Sequence, residues 1–149
     1  MIGSEELRKM VADLLSAQLF AVLSTRGEKD LHSVLVAFAA SEDMRQIVFV
    51  TPRQTRKFEN ILKHNSVSLF VDNRTNDITD LQRLLGVEAR GTVNEVEGEQ
   101  RTEYQHMFVT KFPQLSWFVE SPGSAVMKLE VQRYDVVYHF QNVTVLEMQ

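Results

Sequence analysis

Seven consecutive residues, Thr51-Pro52-Arg53-Gln54-Thr55-Arg56-Lys57, bring two hydroxyls and three cations together. They lie between an apolar run, Gln46–Val50, and a segment from Thr55 to His64 that reads as a helix. The first turn of a helix presents free N–H groups and a positive partial charge, which attract phosphate. Arginine adds a planar, two-pronged donor and lysine a point charge. Thr51 and Thr55 can donate to the same oxygens. The chemistry these residues suit is the holding of a monophosphate, without a glycine-rich loop of the Walker or dinucleotide type. On local composition alone, a plainer meaning is commoner: Thr55 is a helix N-cap and the cations are solvated. Cations at the positive end of a helix dipole are placed unfavourably, which weighs against that plainer meaning.

Other chemistry is scarce. There is no cysteine, which removes disulfides, thiolate metal sites and cysteine nucleophiles. The histidines His32, His64, His106 and His139 form no HExxH-type pair, and no metal site is expected. The acidic residues are dispersed, so no general acid–base couple stands out. Asp72-Asn73-Arg74-Thr75-Asn76 concentrates hydrogen-bonding groups after a strand and reads equally as a binding segment or a polar turn. Phe140-Gln141-Asn142 reads first as a strand with one polar face. Leu115, Trp117 and Phe118 suit core or dimer packing.

The elements that must position these residues follow from periodicity. Leu7, Met10, Val11, Leu14 and Leu15 form one helical stripe behind Ser4, a candidate cap, and Glu5 and Glu6 suit the start of the dipole. Phe20–Thr25, Leu31–Ala40, Gln46–Val50, Ser66–Asp72, Val87–Val96, Ala125–Val131 and Tyr134–Glu147 read as strands. The helix from Thr55 to His64 should turn Phe58, Ile61 and Leu62 inward. Gly98–Phe112 reads as a second long helix ended by Pro113, with a short helical piece over Gln114–Val119. The expected fold is mainly β (α+β): six or seven mostly antiparallel strands, with two or three helices, in a single domain over 1–149. Hairpin-length links favour closure into a barrel, which also removes exposed edges.

LHSVLVAF followed by IVFVTPRQTRKFENILKHNSVSLFVDN resembles the pyridoxamine 5′-phosphate oxidase-related, FMN-binding split-barrel superfamily. The matching pattern is a strand ending in Val-Thr, a Ser/Thr-Arg-Lys helix start, and an Asn-x-x-Val-Ser-Leu strand. Here these are Thr51, then Thr55, Arg56 and Lys57, then Asn65, Val67, Ser68 and Leu69. The resemblance implies FMN as cofactor, with Thr51, Thr55, Arg56 and Lys57 on its phosphate and Val50 and Gln54 in the same binding segment. It implies Ser33 and Val34 beside the flavin ring, and Asn73 and Arg74 near the flavin site of a homodimer. His32 stands where the oxidases carry arginine. The oxidases' substrate lysine corresponds to Ala37 and their Arg-x-His pair for substrate has no counterpart in VQRYDVVYHFQNVTVLEMQ, while the partner-subunit glutamine that reaches FMN corresponds to Gly86. The resemblance thus favours flavin binding over oxidation of pyridoxamine phosphate itself.

Three functions are consistent with this reading: an FMN-dependent oxidoreductase for an unidentified small molecule, a non-catalytic flavin binder, and a haem-handling split barrel with His64 or His139 as axial ligand. A net charge of −4 weighs against a nucleic-acid partner. No apolar run is long enough to span a membrane as a helix, and the start MIGSEELRK is unlike a signal peptide, so the expected setting is cytoplasmic.

Overall fold

In the computed structural model, which describes residues 2–139 and 142–148, five α-helices and eight strands alternate along the chain. They are α1 (Ser4–Ala17), β1 (Phe20–Arg26), β2 (Leu31–Ala37), β3 (Ala39–Ala40), β4 (Gln46–Pro52), α2 (Arg56–Lys63), β5 (Ser66–Asp72) and α3 (Asp80–Arg83). Then come β6 (Leu85–Glu95), α4 (Gly98–Lys111), a 3-10 turn (Pro113–Leu115), α5 (Ser116–Glu120), β7 (Ser124–Tyr138) and β8 (Asn142–Glu147). All pairings are antiparallel, in the order β2-β1-β5-β6-β7-β4-β3, with β8 also on β7. The two ends of that path are one bent stretch of chain. The expected strand Leu31–Ala40 breaks at the fully buried Phe38, so β2 pairs with β1 while β3 pairs with β4. A single residue thus carries the chain from one end of the strand path to the other.

Burial explains the strand patterns. Leu23, Phe49, Leu69, Val87, Leu129 and Tyr134 fill the barrel, and Leu7, Val11, Leu14 and Leu15 of α1 pack in the same cluster. A second cluster joins Val48, Val50 and Val126 to Phe108, Phe112 and Val119 of the α4–α5 layer. The β4–β7 wall is therefore covered on both faces, and Ile47–Thr51 is buried without alternation. The opposite wall is covered on one face only, so β1 and β5 alternate, leaving Phe20, Leu35 and Phe70 exposed on its outer side.

Gly91 marks a bulge. Arg90 faces Arg133 but Gly91 faces Val131, leaving Gln132 as the extra residue of β7. A Cβ on Gly91 would lie 1.9 Å from the Glu130 carbonyl oxygen, so no side chain fits there.

Several details differ from the sequence reading. Ser4 is the first helical residue, and Gly3 occupies the N-cap position with no side-chain cap bond. Leu62 is 70% exposed, whereas Asn60 turns inward and donates from Nδ2 to Thr25 Oγ1 at 3.0 Å. A buried amide with a buried hydroxyl partner substitutes here for the apolar contact that periodicity suggests. The two C-terminal strands expected to begin at Ala125 and Tyr134 are instead one strand, β7, followed by β8. Helix α3 carries no apolar stripe of its own to announce it: none of its residues is buried. Phe140 and Gln141 of the 140–142 segment lie outside the described residues; Asn142 opens β8.

Candidate functional site

The site starts where β4 ends. Thr51 is fully buried, Pro52 is the last strand residue, and Thr55 caps α2 by accepting the Phe58 N–H at 3.4 Å. The Thr55 hydroxyl donates to the Pro52 carbonyl at 3.0 Å and stands 3.2 Å from the Thr51 hydroxyl. Thr55 is therefore a true N-cap, as the plainer meaning held. Capping consumes only one N–H: those of Arg56 and Lys57 have no acceptor among the described residues.

The three cations separate. Arg53 turns away: its guanidinium meets Glu95 Oε2 at 2.6 Å and donates to the Pro122 carbonyl at 2.8 Å. Arg56 is exposed and Lys57 half-buried, and neither has a hydrogen-bond or ion-pair partner among the described residues. Burial lowers the Lys57 amine below its ordinary value of 10.5. The corner thus brings two free amides and two unpartnered cations together, donors of the kind that cradle an anion, while both threonine hydroxyls turn to the Pro52 carbonyl, at 3.2 Å from Thr51 and 3.0 Å from Thr55. Gln54 is exposed at its rim, while the Val50 side chain packs toward the α4–α5 layer.

Beside this corner the barrel is split. Leu31–Ala37 pairs with β1 alone, so its other edge carries unpaired N–H and C=O groups. Strand β4 pairs with β3 only at Ile47 and Val48, which leaves the same side of Phe49–Pro52 unpaired. The two free edges lie next to each other. On β2, Ser33 points outward, 2.8 Å from the Ser24 hydroxyl, whereas Val34 packs against the main core. Their side chains face opposite ways, and what Ser33 and Val34 offer jointly is the backbone edge.

Asn73 and Arg74 do not join the cradle within one chain. Asn73 closes the neck of the β5–β6 connection: Nδ2 donates to the Arg83 carbonyl and Oδ1 accepts the Leu85 N–H, each at 2.9 Å. Arg74 pairs with Asp72 at 2.9 Å. This turn adjoins the Phe20 end of β1, whereas α2 is tied to Thr25, about 16 Å further along the strand at roughly 3.3 Å per residue. Glu95 is the residue that sequence reasoning missed: it lies 42 positions from Arg53, and nothing in their spacing links them. A groove of about 750 Å³ lies elsewhere, between α1, α4 and Ala39–Met44, and contains none of the cradle residues.

Among the histidines, His64 Nδ1 is engaged by Arg26 Nη2 at 2.9 Å. No group of three or more His, Cys, Asp or Glu among the described residues can hold a metal ion. No helix among them is long and apolar enough to cross a membrane.

An antiparallel barrel with a split between two strand edges defines a split-barrel protein. The sequence model described as pyridoxamine 5′-phosphate oxidase matches residues 7–138, and the chain belongs to that family. No curated protein matches it in sequence. Solved structures share the fold. A heme-binding protein from Mycobacterium smegmatis superposes with a TM-score of 0.82 at 14% identity, over 99% of this chain and 60% of that one. Campylobacter jejuni ChuZ gives 0.83 at 12% identity, over 99% and 61%. General Stress Protein 26 from Bacillus anthracis gives 0.74 at 17%, over 96% and 99%. The chain thus spans about three-fifths of the first two and nearly all of the third.

Proposed function

We propose that the chain is an FMN-binding flavoprotein, an oxidoreductase for a small molecule, working as a homodimer in the cytoplasm. The observation that carries this reading is the donor set at the start of α2 beside the unpaired edge of β2. Thr51, Thr55, Arg56 and Lys57 hold the phosphate, with Gln54 and the backbone of Val50 at its margin. The backbone of Ser33 and Val34 faces the ring. The residues present fit a phosphorylated ligand: among the described residues no carboxylate pairs with Arg56 or Lys57, and Glu95 is paired with Arg53. Bound FMN supplies the electron transfer, which explains why the chain needs no acid–base couple of its own.

The ring needs cover. One outer wall would leave much of it wet, and the exposed Phe20, Leu35 and Phe70 mark a surface that a second copy can bury. Asn73 and Arg74, too distant within one chain, could then reach the partner's site. Pyridoxamine phosphate is not the expected substrate: Ala37 offers no cation for its phosphate, and the C-terminal stretch VQRYDVVYHFQNVTVLEMQ has no Arg-x-His pair.

The visible spectrum of the purified protein tests the cofactor. Bands near ~450 nm with quenched flavin fluorescence, bleached by NAD(P)H and restored by an acceptor, are expected for the flavin enzyme. A Soret band would replace this reading with haem binding, as in the heme-binding protein from Mycobacterium smegmatis that shares the fold. Flavin bands that no donor bleaches would leave a binder without catalysis.

A further inference from the structure

Of the three cations at the β4–α2 corner, Arg53 alone is committed elsewhere, and its partners belong to two other elements. Its guanidinium grips Glu95, the last residue of β6, at 2.6 Å through Nη2 and at 3.5 Å through Nε. Its Nη1 donates to the Pro122 carbonyl at 2.8 Å, and its backbone N–H donates to the Gly123 carbonyl at 2.9 Å. Pro122 and Gly123 form the turn between α5 and β7. One residue of the cradle segment is thus fastened to the end of β6 and to the α5–β7 turn.

The consequence lies one turn further on. Arg53 is two residues before the cap Thr55 and three before the free N–H of Arg56. Between them only Gln54 is unattached: its side chain is exposed and makes no hydrogen bond among the described residues. The direction of the first turn of α2 is therefore set from one side by Thr55 on Pro52, and from the other by Arg53 on Glu95 and Pro122. Glu95 is the less exposed partner, at 19% against 38% for Arg53, and the paired, two-pronged geometry restricts both side chains.

We infer that Arg53 is a positioning residue, not a phosphate ligand, and that the Arg53–Glu95 pair holds the start of α2 in the geometry that selects a phosphorylated flavin over an unphosphorylated one. This rests on the FMN reading above, but it adds a residue, Glu95, that no cradle composition would include. It also predicts an inverted sign. A carboxylate near a phosphate should on simple charge grounds weaken binding, so its removal should help. If Glu95 acts through Arg53, removing it should hurt.

The test compares Arg53→Ala, Glu95→Ala, Glu95→Gln and the Arg53→Ala/Glu95→Ala double variant in two measurements. The first is amide hydrogen exchange, in the flavin-free protein, of Phe58 and Glu59, whose N–H groups bond to Thr55 at the start of α2. Faster exchange confined to these amides in both single alanine variants is expected, with Glu95→Gln intermediate; unchanged exchange overturns the positioning role whether or not FMN binds. The second is equilibrium binding of FMN and of riboflavin. Each single alanine variant should lose on the order of tenfold in FMN affinity, keep its riboflavin affinity, and match the double variant. A gain in FMN affinity on Glu95→Ala, with a loss on Arg53→Ala, would make Arg53 a direct ligand held back by Glu95, and overturn the inference. Equal losses for FMN and riboflavin would reduce the pair to general stability and overturn it too. Failure of the unaltered protein to bind FMN would remove the flavin reading, while the exchange measurement still decides whether the pair fixes the helix start.

Discussion

Lys57 and Arg56 have donors to spare, with no hydrogen-bond or ion-pair partner among the described residues. Lys9, Arg53, Lys63, Arg74, Arg90, Lys128 and Arg133 all have carboxylate partners. Replacing both cradle cations, Arg56→Ala with Lys57→Ala, should therefore leave the fold intact. It should weaken FMN by about 10- to 100-fold per residue, because charge-assisted hydrogen bonds are worth roughly 1.5–3 kcal/mol each. A fluorescence titration alongside a melting curve reads both outcomes. The lysine also sets a pH dependence. Burial lowers the Lys57 amine from 10.5 in the free protein, and a bound phosphate would raise it again. Above about pH 7, where the FMN phosphate is largely a dianion, affinity should hold steady up to the lowered value, fall as pH rises through it, and level off above the raised one. That fall should begin at lower pH than an ordinary lysine would give, and should vanish in Lys57→Ala. An identical profile in that variant would mean that Lys57 does not contact the ligand.

The elements explain why these residues meet. The bend at Phe38 sends one stretch of chain to both sides of the barrel, which leaves the edges of β2 and β4 unpaired next to the cradle. The bulge at Gly91 lets the long β7 serve β6 along one edge and both β4 and β8 along the other. Gly91→Ala should cost about 3 kcal/mol or more, since the clash is with backbone and cannot be relieved by a rotamer. Gly123→Ala, with nothing within 4 Å of its Cβ, should stay within about 0.5 kcal/mol in the same urea titration. Comparable losses at both positions would show that the bulge is not the constraint. Much of this layout was legible in the sequence, because apolar periodicity reports burial: the strand Ser66–Asp72 and the stripe Leu7, Val11, Leu14, Leu15 are as expected. Features governed by polar pairing were not legible. Asn60 turns inward because Thr25 awaits it, and Arg53 leaves the cradle because Glu95 does, over separations of 35 and 42 residues. A motif shows which residue types are gathered, not which of them a distant partner has already engaged.

For the whole molecule, the account requires a second copy. Phe20, Leu35 and Phe70 line up across β2, β1 and β5 through the pairs Phe20–Ala37, Val22–Leu35 and Val22–Phe70, so the apolar surface is continuous. Sedimentation equilibrium should show a dimer, and a monomer with full FMN occupancy at micromolar concentration would refute it. Shared sites make a sharper prediction. A mixed dimer of Arg56→Ala/Lys57→Ala and Asn73→Ala/Arg74→Ala subunits should keep one intact site and one doubly damaged site, whereas self-contained sites would each be damaged singly. The central claim is that the start of α2 binds the phosphate of FMN, and one comparison tests it most directly: equilibrium titration of the unaltered protein with FMN and with riboflavin, which differ only by that phosphate. The account predicts that FMN binds at least ~100-fold more tightly, the worth of two charge-assisted contacts at the low end of their range. Equal affinities, or no binding of FMN, would contradict it.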